Sequence, residues 1–219
     1  MPVLSEIKVR SPKEGDLLRG RTPEELARTY ASRPIAGISI VTEPLDFGGS
    51  VDLIRRVARI VDAPILRKDF IREARGMDET ADAGASAVLL TVSVLGIELL
   101  ANLHAAAKSC DLETLVEIHD ARELERFLEL GIAPDILGIN NRNILMGETD
   151  DGDVSLTETL VAGVPDGWLI LSESAIGGPE DALRARNAGV DALLVGTAIL
   201  SAEDAGAAID GLVGIGWVP

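Results

Sequence analysis

Eight short apolar segments rich in β-branched residues alternate along this chain with segments that have helical spacing. Short apolar runs of this kind are typical of buried strands, and their alternation with helices predicts a parallel sheet of strand–helix units. The predicted strands are Val3–Val9, Gly37–Thr42, Pro64–Leu66, Ala87–Thr91, Thr114–Ile118, Ile136–Ile139, Trp168–Leu171 and Ala192–Val195.

Helix-start signals stand between several of these strands. Thr22 is a candidate N-cap, with Pro23 in the first turn and Glu25 three residues after Thr22, which is the pattern of a capping box. Two further helices are predicted to begin at Ser50 and at Asp120. Periods of two and of 3.6 residues therefore alternate from one end of the chain to the other.

The number of units predicts the fold. The chain of 219 residues provides about 27 residues for each of eight units, and no linker or shift in composition separates them. We therefore predict one domain over residues 1–219, a (β/α)₈ barrel, since both the strand number and the length suit that fold. An open doubly wound sheet is the alternative, but its G-x-G-x-x-G fingerprint is absent after the first strand.

Charge and composition argue against several classes of partner. A formal net charge of −16 repels nucleic acid and anionic membrane surfaces. The apolar tract at residues 85–107 is interrupted by charged and small residues, so we interpret it as a strand followed by a helix. The start of the chain has no apolar signal segment, and Cys110 is the single cysteine. We predict a cytoplasmic protein without nucleic-acid or membrane partners.

Polar residues follow the predicted strands at the ends where a barrel of this type places its chemistry. Each lies in the inward phase of its strand; Glu173, for example, is in phase with Leu171 and Leu169. The set comprises Glu6, Lys8, Lys68, Glu117, Asn140 and Glu173. One such residue alone is typical of a solvated loop. Together they predict a pocket in which a desolvated lysine among carboxylates acts as a general acid or base.

The loops after the last two strands are small and contain glycine. They read SESAIGGPED and VGTAILSAED, and each leads into a predicted helix. Backbone N–H groups at helix starts bind phosphate in barrels of this kind, so we predict a phosphate site here. The alternative is that Gly177 and Gly178 are only turn glycines.

Several of these motifs, taken in order, resemble the indole-3-glycerol-phosphate synthase family. They are EIKVRSP, ISIVTEPLDFGGS, PILRKDF, LVEIH, GINNRN, LSES and LLVGTAIL. The resemblance implies ring closure of 1-(2-carboxyphenylamino)-1-deoxyribulose 5-phosphate with loss of carbon dioxide and water, in tryptophan biosynthesis. It implies a phosphorylated small-molecule substrate and neither a cofactor nor a metal.

The resemblance also implies roles for the residues at the strand ends. Lys68 would be the general acid, and Glu117 the general base or the second acid of the dehydration. Glu6 and Asn140 would orient this pair, and Lys8 would neutralise the anionic substrate. Glu173 would complete the polar floor of the pocket.

The binding residues implied by the resemblance fall into two groups. The phosphate and other anionic groups of the substrate would be bound by Ser11, Arg142, Ser174, Ala175, Gly196 and Thr197, with Arg142 near the carboxylate. The aromatic ring would lie in an apolar slot formed by Pro12, Phe47, Phe70 and Leu90.

Two features differ from the family pattern. The family's N-terminal extension is largely missing, because the first strand starts almost at Met1. Ala175 stands where the family has glycine, so a Cβ would lie where the backbone approaches the phosphate. These departures leave open a related barrel enzyme that uses another phosphorylated substrate.

Two further alternatives remain. One is an inactive barrel that serves as a subunit of an assembly, and we otherwise expect a monomer or weak homo-oligomer. The other is the pathway's sister isomerase, which uses a strand-end cysteine, but Cys110 lies in a helix-to-strand stretch. His104 and His119 are interpreted as packing or surface residues, because no metal-like cluster surrounds them.

Overall fold

Eight parallel strands close into a barrel in the computed structural model, which describes residues 1–142 and 152–215. Closure occurs where the first strand, Val3–Ile7, pairs with both Gly37–Val41 and Ala192–Val195. The barrel strands are β1 Val3–Ile7, β4 Gly37–Val41, β5 Ile65–Lys68, β6 Ala87–Thr91, β7 Glu113–Ile118, β8 Ile136–Asn140, β9 Ile170–Glu173 and β10 Ala192–Val195. The predicted (β/α)₈ barrel is confirmed, and the open sheet is excluded. The predicted domain end at residues 216–219 lies outside the described residues.

Helices separate the barrel strands and pack outside them. Their bounds are α1 Pro23–Ala31, α2 Val51–Ala58, α3 Arg75–Ala83, α4 Val92–Leu95, α5 Ile97–Ser109, α6 Ala121–Leu128, α7 Ser155–Leu160, α8 Pro179–Ala188, α9 Thr197–Ser201 and α10 Ala205–Val213. None of the helices within 1–142 and 152–215 combines the length and apolarity that a bilayer span requires.

The predicted helix starts are confirmed, with one difference in their chemistry. Thr22 and Glu25 form the reciprocal capping box, with the Thr22 N–H donating to Glu25 Oε2 at 2.7 Å. Asp120 Oδ1 accepts from the N–H of Glu123 at 2.8 Å. Ser50 precedes α2, but its side chain makes no capping hydrogen bond.

Two strand boundaries differ from the prediction. After β1 the chain forms a small hairpin, β2 Arg10–Ser11 and β3 Gly15–Asp16, instead of continuing to Val9 as strand. The ninth strand starts at Ile170, whose N–H donates to Asp191 Oδ2 at 2.9 Å. Leu169 is 55% exposed, so it does not share the interior of the barrel with Leu171 and Glu173 as predicted.

The charged end of β5 is explained by alternation across the sheet. The Arg67 side chain lies outside the barrel and donates to Glu79 Oε2 at 3.0 Å, Thr80 Oγ1 at 3.1 Å and Asp69 Oδ2 at 3.1 Å. Lys68, the next residue, lies on the opposite face and reaches the mouth of the barrel. Both charges are therefore buried, and neither belongs to a solvated loop.

A layer of leucines fills the barrel below its mouth. It consists of one leucine from each of five strands: Leu66, Leu89, Leu115, Leu171 and Leu194. Most of the remaining apolar core lies between the strands and the helices. Because side chains two residues apart in a strand share a face, the residue two positions after each leucine lies directly above this layer.

Candidate active site

Six predicted catalytic residues converge above the leucine layer, at or just beyond the carboxyl ends of five strands. Their side chains are almost completely buried. They are Glu6 in β1, Lys8 after it, Lys68 in β5, Glu117 in β7, Asn140 in β8 and Glu173 in β9. Charged groups are rarely buried without partners, so this concentration indicates a functional site.

Lys68 lies between two of the carboxylates. Its Nζ is 3.8 Å from Glu117 Oε2 and 3.5 Å from Glu173 Oε2. A second ammonium group, that of Lys8, is 3.3 Å from Glu6 Oε1. The site thus contains two cations and three acids, in a region where water screens their interactions weakly.

The Glu117 carboxylate is held by hydrogen bonds to both of its oxygens. Thr91 Oγ1 donates to Oε1 at 3.1 Å, and Asn140 Nδ2 donates to Oε2 at 3.1 Å. Asn140 is oriented in turn, because its Oδ1 accepts from the backbone N–H of Arg142 at 3.0 Å. These donors fix the orientation of the Glu117 carboxylate toward Lys68.

Glu173 is in a different environment from Glu117. Neither of its oxygens accepts a hydrogen bond from the part of the chain that the structure describes. Burial, reinforced by the negative charge of Glu117, raises the pKa of Glu173 well above its ordinary value, and Lys68 opposes this only in part. Gly138 makes room for the group, since a Cβ there would lie 2.7 Å from Glu173 Oε1.

A cleft of about 310 Å³ opens from these groups toward the loops after β9 and β10. Lys68 and Glu173 line its inner end, and Arg142, Ser174 and Gly196 line its outer part. Cations beside small residues and exposed backbone suit an anionic group such as phosphate.

The loop after β9 has an unusual backbone. Ser174 and Ala175 have φ values of 63° and 54°, in the left-handed region that residues with a Cβ rarely occupy. Asn141 holds this turn, because its Nδ2 donates to the carbonyl oxygens of Glu173 at 3.0 Å and Ser174 at 3.1 Å. Its Oδ1 accepts from the Thr157 N–H at 3.1 Å, which ties the turn to α7.

An apolar slot adjoins the charged groups on the side of β4 and β5. It is lined by Phe47, Phe70 and Leu89, and the Lys8 ammonium lies 5.7 Å from the centre of the Phe47 ring. Glu6, Lys8 and Lys68 line both the slot and the larger cleft. The two cavities therefore meet at the charged groups.

Comparisons with known proteins match this chain over nearly its whole length. The family model for indole-3-glycerol phosphate synthase matches residues 1–212. The chain belongs to this family. Relatives named indole-3-glycerol phosphate synthase include one from Thermococcus kodakarensis, 45% identical over 203 residues, which cover 92% of this chain and 87% of the relative. A relative from Pyrococcus furiosus is 44% identical over 203 residues, covering 93% and 87%. Indole-3-glycerol phosphate synthase 2 from Streptomyces coelicolor is 38% identical over 218 residues, covering 98% and 81%.

The resemblance inferred from the motifs is thus confirmed. The indole-3-glycerol phosphate synthase family consists of carboxy-lyases of tryptophan biosynthesis that perform a decarboxylative ring closure on a phosphorylated small molecule. A site that combines a buried lysine, ionisable carboxylates and an anion cleft is consistent with such chemistry.

The structure brings most of the predicted binding residues of this synthase-family chain to the two cavities. Arg142, Ser174, Ala175, Gly196 and Thr197 line the larger cleft. Arg142 is not among the residues of the apolar slot, and its place near the substrate carboxylate stays a prediction. Phe47 and Phe70 line the slot as predicted.

Three predicted binding residues lie elsewhere. Leu90 belongs to the core between strands and helices, and its neighbour Leu89 faces the slot, because the prediction chose the wrong face of β6. Ser11 and Pro12 lie in the hairpin and line neither cavity. Ser11 Oγ instead accepts from the Glu14 N–H at 2.9 Å, and Pro12 is exposed.

The outer wall of the larger cleft also contains a carboxylate that the sequence patterns did not indicate. Asp181, in the first turn of α8, lines the cleft, and its Oδ2 accepts from the Gly177 N–H at 2.9 Å. One backbone donor of the predicted phosphate loop is therefore occupied by a negative group of the chain itself.

Within the described ranges, no group of three or more His, Cys, Asp or Glu side chains is arranged to hold a metal ion. The expectation that the reaction needs no cofactor stays a prediction. Cys110 caps the end of α5, away from both cavities, so it takes no part in the candidate site.

Proposed function

We propose that this chain closes the indole ring of 1-(2-carboxyphenylamino)-1-deoxyribulose 5-phosphate, forming indole-3-glycerol phosphate, carbon dioxide and water. The observation that best supports the proposal is that an anion cleft and an apolar slot share Lys8 and Lys68. A substrate with a phosphate at one end and an aromatic acid at the other would span both cavities. Its reacting carbonyl would then lie beside the two ammonium groups.

Lys68 is suited to the first proton transfer. Its ammonium group would protonate the carbonyl oxygen as the ring carbon that bears the carboxylate attacks the carbonyl carbon. Carbon dioxide then leaves, and the electrons of the broken bond return to the ring. The Glu117 and Glu173 carboxyl groups, both within 4 Å of Nζ, would hold the ammonium group at the mouth of the barrel.

Glu117 is suited to the second stage. The hydroxyl group formed from the carbonyl leaves as water after it receives a further proton, and a neighbouring carbon loses a proton to complete the indole double bond. Glu117, held by Thr91 and Asn140, would accept that proton. Glu6 and Lys8 would orient the substrate's hydroxyl and anionic groups, and Glu173 would complete the polar floor.

Binding also supports this assignment. A dianionic phosphate and a carboxylate need local cations in a chain with a net charge of −16. Lys8, Lys68 and Arg142 supply such cations at the mouth of the barrel. Fixing a flexible substrate across two adjoining cavities lowers the entropic part of the barrier.

A fluorescence assay of indole formation tests the proposal, with Lys68→Ala as the critical variant. We expect activity in the parent and a loss of about 10²–10⁴-fold in Lys68→Ala. Lys108→Ala is the matched control, because Lys108 forms an exposed ion pair with Asp135 on the outside of the barrel. An inactive parent would contradict the proposed reaction and would favour either another phosphorylated substrate or a subunit role. Full activity in Lys68→Ala would refute its assignment as the acid.

We further propose that the chain acts as a monomer or weak homo-oligomer in the cytoplasm. In support, Glu6, Lys8 and Lys68 of one chain line both the cleft and the slot, so one copy of the chain brings these groups together. Light scattering across a concentration series would test the oligomeric state, and a stable higher assembly would contradict it.

A further inference from the structure

His119 lies directly beside Glu117, although its sequence context predicted a packing or surface residue. The histidine follows the last residue of β7, and its side chain is 11% exposed. Its Nε2 is 3.5 Å from Glu117 Oε1, the oxygen that also accepts from Thr91. The imidazole therefore approaches the carboxylate from a side that Asn140 and Lys68 do not occupy.

The opposite side of the ring is anchored by Glu123 of α6. Nδ1 is 3.2 Å from Glu123 Oε2, and the same oxygen accepts from the backbone N–H of His119 at 2.8 Å. Ser93 Oγ of α4 lies 3.5 Å from Nδ1. An ionised carboxylate can only accept hydrogen bonds, so in the contact with Glu123 the proton lies on Nδ1, and Nε2 is directed toward Glu117.

In this orientation, a proton on Nε2 decides whether the ring repels or attracts the Glu117 carboxylate. In the neutral ring with a proton on Nδ1, the lone pair of Nε2 would face a carboxylate oxygen, and Nε2 has no hydrogen bond from the described residues. When Nε2 is protonated, the same contact becomes attraction between an imidazolium and a carboxylate. The geometry therefore favours the cationic ring.

The two neighbouring carboxylates also favour the cationic ring of His119. Burial lowers the pKa of His119, but the hydrogen bond to Glu123 and the charges of Glu117 and Glu123 outweigh burial and the opposing charge of Lys68. The net effect raises the pKa of His119 above its ordinary value. His104, the other histidine of the chain, differs: burial lowers its pKa, although Asp135 opposes this.

We propose that His119, in its imidazolium form, is a positioning residue that holds the Glu117 carboxylate in the orientation that the reaction needs. The inference rests on the proposed function and adds a Glu123–His119–Glu117 relay to it. The anchored ring places a positive charge beside Oε1 of Glu117, whereas Lys68 and Asn140 contact Oε2. When Lys68 gives its proton to the substrate, Glu117 still has the imidazolium of His119 beside it.

Kinetics provide the first test. We expect His119→Gln to lower kcat about 10- to 100-fold at neutral pH, the rate equivalent of one charge-assisted hydrogen bond, with little change in KM. The ratio of parent to variant kcat should shrink as the pH rises through the His119 pKa, because the parent then loses its imidazolium. His104→Gln is the matched control and should retain the parent's kcat and pH profile. A ratio that does not vary with pH would overturn the proposal.

Histidine NMR provides a test that needs no activity. With only two histidines, each ring can be followed through a pH titration. We expect the His119 pKa to fall in Glu117→Gln and in Glu123→Gln, while that of His104 stays constant. An unchanged His119 pKa in a folded Glu117→Gln variant would refute the contact. A parent without synthase activity would refute the proposed function, and this titration would still decide whether His119 and Glu117 are coupled.

Discussion

Gly196 lies against the Glu6 carboxylate across the junction of β1 and β10. A Cβ added to Gly196 would be 3.1 Å from the carboxyl carbon of Glu6 and closer still to its Oε1. The same carboxylate pairs with Lys8. The absence of a side chain at Gly196 therefore sets where a charged group of the candidate site can lie.

Gly196→Ala should consequently displace Glu6. We expect a loss of stability of about 1–3 kcal/mol, as for other overpacked sites, together with a reduced kcat, measured by urea unfolding and by the indole assay. Gly178→Ala is the control, since a Cβ there meets no atom within 4 Å. Equal effects of the two substitutions would contradict the steric explanation.

Ala175→Gly should relieve backbone strain at the anion cleft. The alanine has a φ of 54°, a conformation that costs about 1 kcal/mol for a residue with a Cβ. The greater freedom of glycine in the unfolded chain offsets most of this gain, so the net stability should change by less than about 1 kcal/mol.

The larger effect of Ala175→Gly should be on anion binding. Removing the methyl group lets a phosphate approach the backbone, and we expect inorganic phosphate to inhibit about 2- to 10-fold more tightly, the equivalent of one added hydrogen bond. Inhibition constants measured for parent and variant test this. Weaker inhibition in the variant would show that the Cβ does not restrict the cleft.

Asp181→Asn should strengthen phosphate binding by removing a negative charge from the wall of the cleft. Asparagine retains an oxygen that can accept from the Gly177 N–H, so the loop should keep its shape. We expect a lower inhibition constant for phosphate, with a difference that diminishes as salt screens the charge. Glu180→Gln, on the exposed neighbour in the same helical turn, should have a smaller effect.

Glu173→Gln should stabilise the protein while impairing the reaction. The native pKa of Glu173 is raised by burial and by Glu117, so its cost to stability is absent below the unfolded pKa and grows as pH rises toward the native value. Glutamine retains the shape but does not titrate. We expect its gain in stability over the parent to be larger at about pH 8 than at about pH 5.

Thermal unfolding at these two pH values measures that gain. Glu113→Gln, at an exposed position at the start of β7, should leave the midpoint nearly unchanged at both. A Glu173→Gln variant that is less stable than the parent at the higher pH would show that the ion pair with Lys68 outweighs the burial of the carboxylate.

The closed barrel and the polar set at its mouth could be predicted because two periodic signals agree. Short apolar strands alternate with capped helices, and a charge two residues after a buried leucine must lie on the same face, as in Leu66 with Lys68 and Leu115 with Glu117. The spacing within each strand fixes these positions without any knowledge of the loops.

Where a strand has no charged or amide side chain, the sequence does not show which of its side chains face the interior of the barrel. Residues 87–91 read AVLLT, and such a continuous apolar run does not reveal whether Leu89 or Leu90 faces the interior. Gly138 resembles any strand glycine until Glu173 is seen above it. The role of His119 depends on Glu123, which reaches it only after the chain has turned into α6.

The five leucines beneath the charged groups close the barrel at a fixed depth. A packed layer of this kind leaves no path through the barrel, so we expect substrate and product to pass through the same opening. Bound product would then block the next molecule of substrate, so substrate entry and product release must alternate at one opening.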